Sequence, residues 1–251
     1  MLRSLIRLNM RACARLAHFL PQAQVNFEEL YLSSVAHYMN AKTGQTIVDV
    51  GGGRSCRFAK LRSASSGNLI VSVDISKEEL AHNHDADETR VANIVESIGF
   101  PDDSVDLVVS RSVLEHIIDQ ERFIRTSWRT LKPGGVCIHF FPCKFAPFAV
   151  ANQMLPICIS RRVVQGIFEG KEGILGFPAK YDRTYHGAFV RLLIDCGFSV
   201  KRIDISYYQS GYFSFCIPLF IASAIYEMLV YAMGIKNLGA YMIVVAAKDN
   251  N

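Results

Sequence analysis

Asp49 and Asp74 are the residues from which a chemical reading of this chain can start, because each closes a short apolar run rich in Val and Ile. The first run, Thr46–Val50, passes into Gly51-Gly52-Gly53-Arg54-Ser55, and a glycine-rich turn leaving a strand lets a ligand approach the backbone closely. The second reads Leu69-Ile70-Val71-Ser72-Val73-Asp74. It puts an acid 21 residues beyond Gly53, where a carboxylate can accept hydrogen bonds from both hydroxyls of a ribose. Together these features point to a nucleoside-containing ligand at the carboxyl edge of a sheet. The dinucleotide fingerprint asks for a third glycine where this chain has Cys56, which argues against a nicotinamide cofactor and an oxidoreductase.

The elements that must hold these residues alternate. Thr46–Val50, Leu69–Val73, Val105–Ser110 and Val136–Phe141 read as strands, with Ser199–Tyr207 and Ala240–Ala247 closing the sheet. Helices are predicted over Cys56–Leu61, Lys77–His82, Val113–Ile118, Glu121–Leu131 and His186–Cys196. This is the βαβ pattern of a doubly wound α/β domain, with helical additions at the N-terminus and before the last strand. The division expected is an N-terminal cap over residues 1–40 and one domain over 41–251, with insertions at 143–186 and 211–235.

Composition excludes several classes. Of 251 residues, 50% are hydrophobic and 20% charged, which rules out disorder and collagen-like repeats. The 27 Lys and Arg outnumber the 23 Asp and Glu only because Arg3, Arg7, Arg11 and Arg15 precede the first acid, Glu28. The rest of the chain is formally neutral, so a nucleic-acid-binding body is not expected. Seven widely spaced cysteines without a Cys-x-x-Cys pair fit a reducing, cytoplasmic setting and no structural metal. His82, His84 and Asp85 lack a suitably spaced third ligand and read as a solvated helix end.

Both ends of the chain could touch lipid. Residues 2–20 carry arginine every fourth position opposite Leu5, Leu8, Ala12, Leu16, Phe19 and Leu20, and Pro21 stops the helix. That pattern suits an anionic membrane surface, a helix capping the core, or a cleaved targeting peptide. Tyr212–Ile235 carries one charge, Glu227, but Pro218 shortens its helix and strands flank it on both sides. Spanning a membrane is therefore not expected. Simple burial, a subunit interface, or a helix lying in the inner face of the membrane remain.

The motif order is Val-Asp-Val-Gly-Gly-Gly-Arg from Val48, Val-Asp-Ile-Ser from Val73, Phe-Pro-Asp-Asp-Ser-Val-Asp-Leu-Val-Val-Ser from Phe100, Val-Leu-Glu-His from Val113, and Leu-Lys-Pro-Gly-Gly from Leu131. It resembles the class I S-adenosylmethionine-dependent methyltransferases, in particular the small-molecule, methyltransferase type 11-like branch. The resemblance implies a Rossmann-like, mainly parallel seven-stranded sheet. It also implies methyl transfer from S-adenosylmethionine to an oxygen or carbon of a small, amphipathic or lipid-linked acceptor.

By that likeness Asp49 and the backbone of Gly51 and Gly53 would hold the methionine end of the cofactor. Asp74 would take the ribose, Ile75 would pack on the adenine, and Asn93 (or Ile94, by a one-residue choice of alignment) would stand where the family usually has an acid. Ser110 and Arg111 would line the sulfonium side. Methyl transfer depends chiefly on positioning and desolvation. Should an acidic hydroxyl need a base, the sequence offers His116, His139 and His186, with Tyr185 and His186 the acceptor-side candidates, although a plain helix start capped by Asp182 or Thr184 fits the same residues. His139 reads as a core histidine and Cys143 as an inert thiol. Ser55 and Asn93 replace residues frequent in the family, which motivates an alternative: a methyltransferase-like binding or scaffold protein without catalysis.

Overall fold

A computed structural model describes residues 2–154 and 179–250. Its centre is a seven-stranded sheet of β1 (Thr46–Val50), β2 (Leu69–Asp74), β3 (Glu88–Val91), β4 (Val105–Arg111), β5 (Leu131–Pro142), β6 (Phe198–Ser206) and β7 (Tyr241–Lys248). The strands lie in the order β3-β2-β1-β4-β5-β7-β6; the first five are mutually parallel, and β7 runs antiparallel to β5 and β6. The doubly wound, mainly parallel sheet is thus as expected. β3 is the strand the sequence reading missed: Glu-Thr-Arg-Val pairs on one side only and is mostly exposed, so it carries no apolar alternation.

Period-two alternation splits the core between the two faces of the sheet. Ile47, Ile70, Leu107, Val109, Ile138, Phe140 and Ile243 face α2 (Phe27–Met39), which contributes Tyr31, Val35 and Met39. Val48, Val50, Val71, Val108, Phe141 and Val244 face α4 (Gln120–Thr130) and α6 (His186–Asp195), which bring Phe123, Ile124, Phe189 and Leu192. Asn26 caps α2 by accepting from the Glu29 N–H at 3.2 Å, and Asp119 caps α4 through the Arg122 N–H at 3.0 Å.

Two predicted helices are corrected. Cys56–Leu61 contains only a 3-10 turn, Ala59–Leu61, and Val113–Ile118 only Leu114–His116. Each stretch allows fewer than two turns, too few bonds to repay the entropy of nucleating a helix. Side chains hold the first segment instead: Asp85 accepts from the Cys56 N–H at 3.2 Å, and Asn83 donates to the Gly53 carbonyl at 3.0 Å. Lys77–His82 shortens to α3 (Lys77–Leu80), capped by Ser76.

The chain ends pack on each other. α1 (Leu2–Ala17) contacts α7 (Ile217–Ala232), and the Asn9 amide donates to the Phe215 carbonyl at 2.8 Å. Glu227, the lone charge of the apolar segment, is buried. It accepts from the Gln209 N–H at 2.8 Å, from the Ser210 N–H, and from the Ser210 hydroxyl at 3.2 Å. Leu219, Ile221, Ile225, Met228 and Leu229 remain exposed on the outer side of α7. Among the described residues no helix is long and apolar enough to cross a membrane.

Candidate active site

The carboxyl edge of β1, β2 and β4 forms a cleft around the glycine turn. Gly51 and Gly53 have φ of +68° and +51°, a region L side chains rarely adopt, and the Gly51 N–H is anchored to the Val73 carbonyl at 2.7 Å. Gly52 is required by contact: a Cβ there would lie 1.9 Å from Ser72 Oγ and 2.7 Å from Asp49 Oδ2. At Gly53 the nearest such atom is Asp74 Oδ2 at 3.9 Å, so the turn is open on the side of the cleft.

Asp49 is buried, and burial pushes its carboxyl up to about 7; the Cys56 thiol hydrogen bond and the charge of Arg111 pull the other way. Tyr31 of α2 roofs the same cleft, and its phenol is raised well above the usual range by burial and by Asp49. Asp74 is half-buried at the end of β2; its two oxygens accept from the Gly53 N–H at 3.1 Å and the Ser76 N–H at 2.9 Å. Each carboxylate oxygen keeps a second lone pair for a ligand hydroxyl. Glu28, in the first turn of α2, joins Arg57 at 3.3 Å and Arg111 at 3.1 Å across the cleft.

A carboxylate raised by burial beside an open backbone turn suits a ligand that brings its own cation, because an ammonium would hold Asp49 ionised. The open side of the turn at Gly53 lets the amino-acid end of such a ligand come close to the backbone. The residues therefore fit the amino-acid end of S-adenosylmethionine, and Asp74 fits its ribose.

The other expected residues divide. Asp49, Gly51, Gly53, Asp74 and Arg111 converge on the cleft, and Ile75 stands exposed immediately beyond Asp74. Asn93 is exposed past β3, its side-chain oxygen accepting from the Val95 N–H at 3.2 Å, whereas Ile94 packs against the core. The Ser110 side chain does not face the cleft: its hydroxyl bonds His139 Nδ1 at 2.7 Å inside the sheet. His139 is enclosed by Phe123 and Phe189, and burial drives its imidazole down to about 3, the state of a core histidine. Cys143 is buried and its thiol pushed up, as an inert thiol should be.

His116 ends the 3-10 turn after β4, with Nε2 3.8 Å from Glu115 Oε1. Tyr185 and His186 open α6, where Tyr185 packs on Phe145 at 5.0 Å and His186 is lowered first by burial and then by Lys236. Neither Asp182 nor Thr184 caps that helix. Its cap position is Tyr185, which makes no side-chain capping bond, and the Thr184 hydroxyl is buried without a partner. Most of the 143–186 insertion lies outside the described residues.

Sequence reasoning passed over Glu115, Tyr181, Tyr212, Tyr241 and Phe148. Glu115 is buried, its Oε2 has no hydrogen-bond partner among the described residues, and burial raises its carboxyl to about 8. Phe148 of α5 (Pro147–Met154) stacks on Tyr212 at 4.4 Å and on Tyr241 at 5.5 Å, while the Tyr212 and Tyr241 hydroxyls bond each other. An aromatic following a proline gave no signal of this. The Leu-Glu-His unit drew attention to its histidine, and nothing in the sequence around Glu115 signals that it is buried.

A methyltransferase-domain model matches residues 48–139, which span β1 to β5 and hold the glycine turn, Asp74 and Arg111. This part of the chain is similar to the methyltransferase domain of the class I family. The ubiquinone/menaquinone biosynthesis C-methyltransferase of Vibrio parahaemolyticus is 33% identical over 104 residues, 38% of this chain and 40% of that one. Phosphoethanolamine N-methyltransferase 2 of Caenorhabditis elegans is 31% identical over 111 residues, 41% of this chain and 25% of its own. The chain therefore matches well under half the length of these curated relatives.

Methyltransferase-like architecture extends further than sequence identity. Geranyl diphosphate C-methyltransferase from Streptomyces coelicolor, solved with Mg2+, geranyl diphosphate and S-adenosyl-L-homocysteine, superposes with a TM-score of 0.55 at 16% identity, covering 88% of this chain and 80% of that one. A [4+2]-cyclase superposes at 0.56 and 15% identity, covering 88% and 80%. At such identities the likeness concerns the methyltransferase fold alone.

Proposed function

We propose that this chain is an S-adenosylmethionine-dependent methyltransferase that acts on an oxygen or carbon of a small acceptor. The observation that carries the reading is the pairing, on one sheet edge, of a buried Asp49 raised to about 7 with an open glycine turn whose Gly53 N–H is held by Asp74. The cofactor would supply an electrophilic methyl group. Asp49 would bind its ammonium, the Gly51–Gly53 backbone its carboxylate and Asp74 its ribose hydroxyls, with Ile75 and Asn93 toward the adenine and Arg111 fixing the roof through Glu28. Metal ligation has no part in this reading. Calorimetric titration with S-adenosylmethionine, S-adenosylhomocysteine and NAD tests it: micromolar binding of the two sulfur nucleosides without NAD is expected, and no binding of either one overturns it.

Delivery of an amphipathic or lipid-linked acceptor from the inner face of a membrane is part of the same proposal. Arg3, Arg7, Arg11 and Arg15 lie on α1 with no acid among them. α1 packs on α7, whose outer side is apolar, and Phe19 just beyond it is 82% exposed. Basic and apolar surface side by side suits anionic lipid, with each arginine worth about 1 kcal/mol near such a surface. Replacing the four arginines by glutamine should abolish sedimentation with phosphatidylserine vesicles at moderate salt; unchanged sedimentation removes the membrane from the proposal.

A second reading, a binding or scaffold protein without methyl transfer, is favoured by the same fold serving a [4+2]-cyclase. Sulfur-nucleoside binding without turnover across a broad acceptor panel would favour it.

A further inference from the structure

We propose that Glu115, Phe148, Tyr181, Tyr212 and Tyr241 form the acceptor subsite, and that Glu115 Oε2 takes the proton of a hydroxyl carried on a flat, unsaturated ring. This deepens the methyltransferase reading above and rests on it.

The carboxylate stands out first. Its side chain is 6% exposed, and one oxygen is buried with no donor within hydrogen-bond distance among the described residues. An unmet buried acceptor is costly, and such groups persist where a ligand or a reaction uses them. The Glu115 carbonyl accepts from the Lys180 and Tyr181 N–H groups at 2.6 and 3.0 Å, which ties this turn to the segment that follows the insertion. Tyr181 itself sits at a φ of +49°, a strained conformation for a bulky residue, and its hydroxyl meets Asn152 of α5.

The aromatic residues supply the remaining walls. Phe148 stacks at 14° on Tyr212 and at 24° on Tyr241, so the rings present roughly parallel faces, the geometry in which a further flat ring gains contact area. Tyr212 is 41% exposed, which gives the stack an opening. The Tyr181 N–H bonded to the Glu115 carbonyl at 3.0 Å joins the carboxylate's turn to this side of the sheet, and the charge of Glu115 raises the Tyr181, Tyr212 and Tyr241 phenols in turn.

That cluster adjoins the cofactor edge. The Phe140 ring lies 5.6 Å from Tyr31, over the Asp49 cleft, and 5.6 Å from Tyr241, so an unbroken aromatic row joins the two. Arg111 acts on both carboxylates, drawing Asp49 and Glu115 alike toward the ionised form. The charged and titratable groups that face Glu115 are therefore Arg111 from β4, His116 at 3.8 Å, and the three tyrosines.

The step is a simple proton transfer. The acceptor O–H bond breaks, the proton passes to Oε2, and the electron pair stays on the acceptor oxygen, leaving Glu115 as a neutral acid. Burial makes the ionised carboxylate a stronger base than an exposed one, because it penalises the charged form and favours the product of the transfer. Tyr212 and Tyr241 position the ring and keep water from it.

Binding of 4-nitrophenol, whose ionisation is visible in its absorption spectrum, tests the subsite in the full chain with S-adenosylhomocysteine present. The expected result is saturable binding that increases the yellow phenolate fraction. In Glu115→Gln that increase should be lost and affinity should fall about tenfold, the effect of one charge-assisted hydrogen bond. Phe148→Ala should weaken binding by a similar factor while keeping the increase in phenolate. S-adenosylhomocysteine affinity should be unchanged in both variants. Absence of binding, or a wild-type spectrum in Glu115→Gln, overturns the subsite. Failure of the wild-type chain to bind S-adenosylhomocysteine overturns the methyltransferase reading, and the subsite falls with it.

Discussion

The two sides of the cleft are built by different means. On the proposed cofactor side, Asp49, Gly51, Gly52, Gly53 and Asp74 come from two adjacent parallel strands and the turn between them, held by local backbone bonds. On the proposed acceptor side, Glu115, Phe148, Tyr181, Tyr212 and Tyr241 come from five separate segments around the antiparallel end of the sheet, and side chains would do nearly all of the recognition. A site made of strand ends and turns is fixed by local chain geometry, whereas one made of side chains on long connections is free to differ between relatives without disturbing the sheet. The matched methyltransferase-domain segment, residues 48–139, contains the whole cofactor side but only Glu115 of the acceptor side.

Four perturbations sharpen that contrast, beginning with Asp49. Asp49→Asn removes the buried carboxylate and should weaken S-adenosylmethionine binding about 100-fold, near the upper end for a hydrogen bond to a charged group. The same substitution should stabilise the ligand-free fold above neutrality. Asp49 and Glu115 have folded-state values of about 7 and about 8, above the ordinary carboxylate range, so the folded chain binds those protons more tightly than the unfolded one. Their contribution is fully present below the unfolded value and is lost as pH rises toward 7–8, on the order of 2–4 kcal/mol for each group. Urea unfolding from pH 5 to 8 should show the decline, and Asp49→Asn should remove its share.

Gly52→Ala comes next. The added methyl has to displace Ser72 or Asp49, and a loss of about 1–3 kcal/mol in unfolding free energy is expected, together with weaker cofactor binding. A neutral outcome would mean that the turn relaxes more easily than its contacts imply.

Asp74→Ala should lower S-adenosylmethionine affinity about tenfold through two lost hydroxyl contacts, with less effect on a probe lacking ribose. The smallest effect is expected at the rim. Asn93→Ala should change affinity by about threefold at most, since Asn93 is exposed and its oxygen already serves the Val95 N–H. A larger loss at Asn93 than at Asp74 in calorimetry would reverse the assignment of the cofactor's two ends.

Several sequence expectations needed correction in physical terms that recur. Ser110 ends its strand at the cleft edge through its backbone, while alternation turns its hydroxyl inward to His139. Cys56–Leu61 had helical spacing, yet the bonds from Asp85 and Asn83 hold the loop before it can wind. Glu227 looked like a stray charge in an apolar helix and proves to satisfy the backbone of the preceding turn. In each case the deciding partner lies at least 17 residues away in sequence.

What the sequence determined by itself is the parallel half of the sheet apart from β3, and the edge proposed for the cofactor. A strand, a glycine turn and an acid at the next strand end are contiguous features, and local geometry makes them a site wherever they occur in that order. What only the tertiary structure decided is the acceptor side and the protonation of its carboxylates. Glu115 is a base candidate because the fold buries it and so raises its carboxyl, and no pattern around residue 115 encodes that burial.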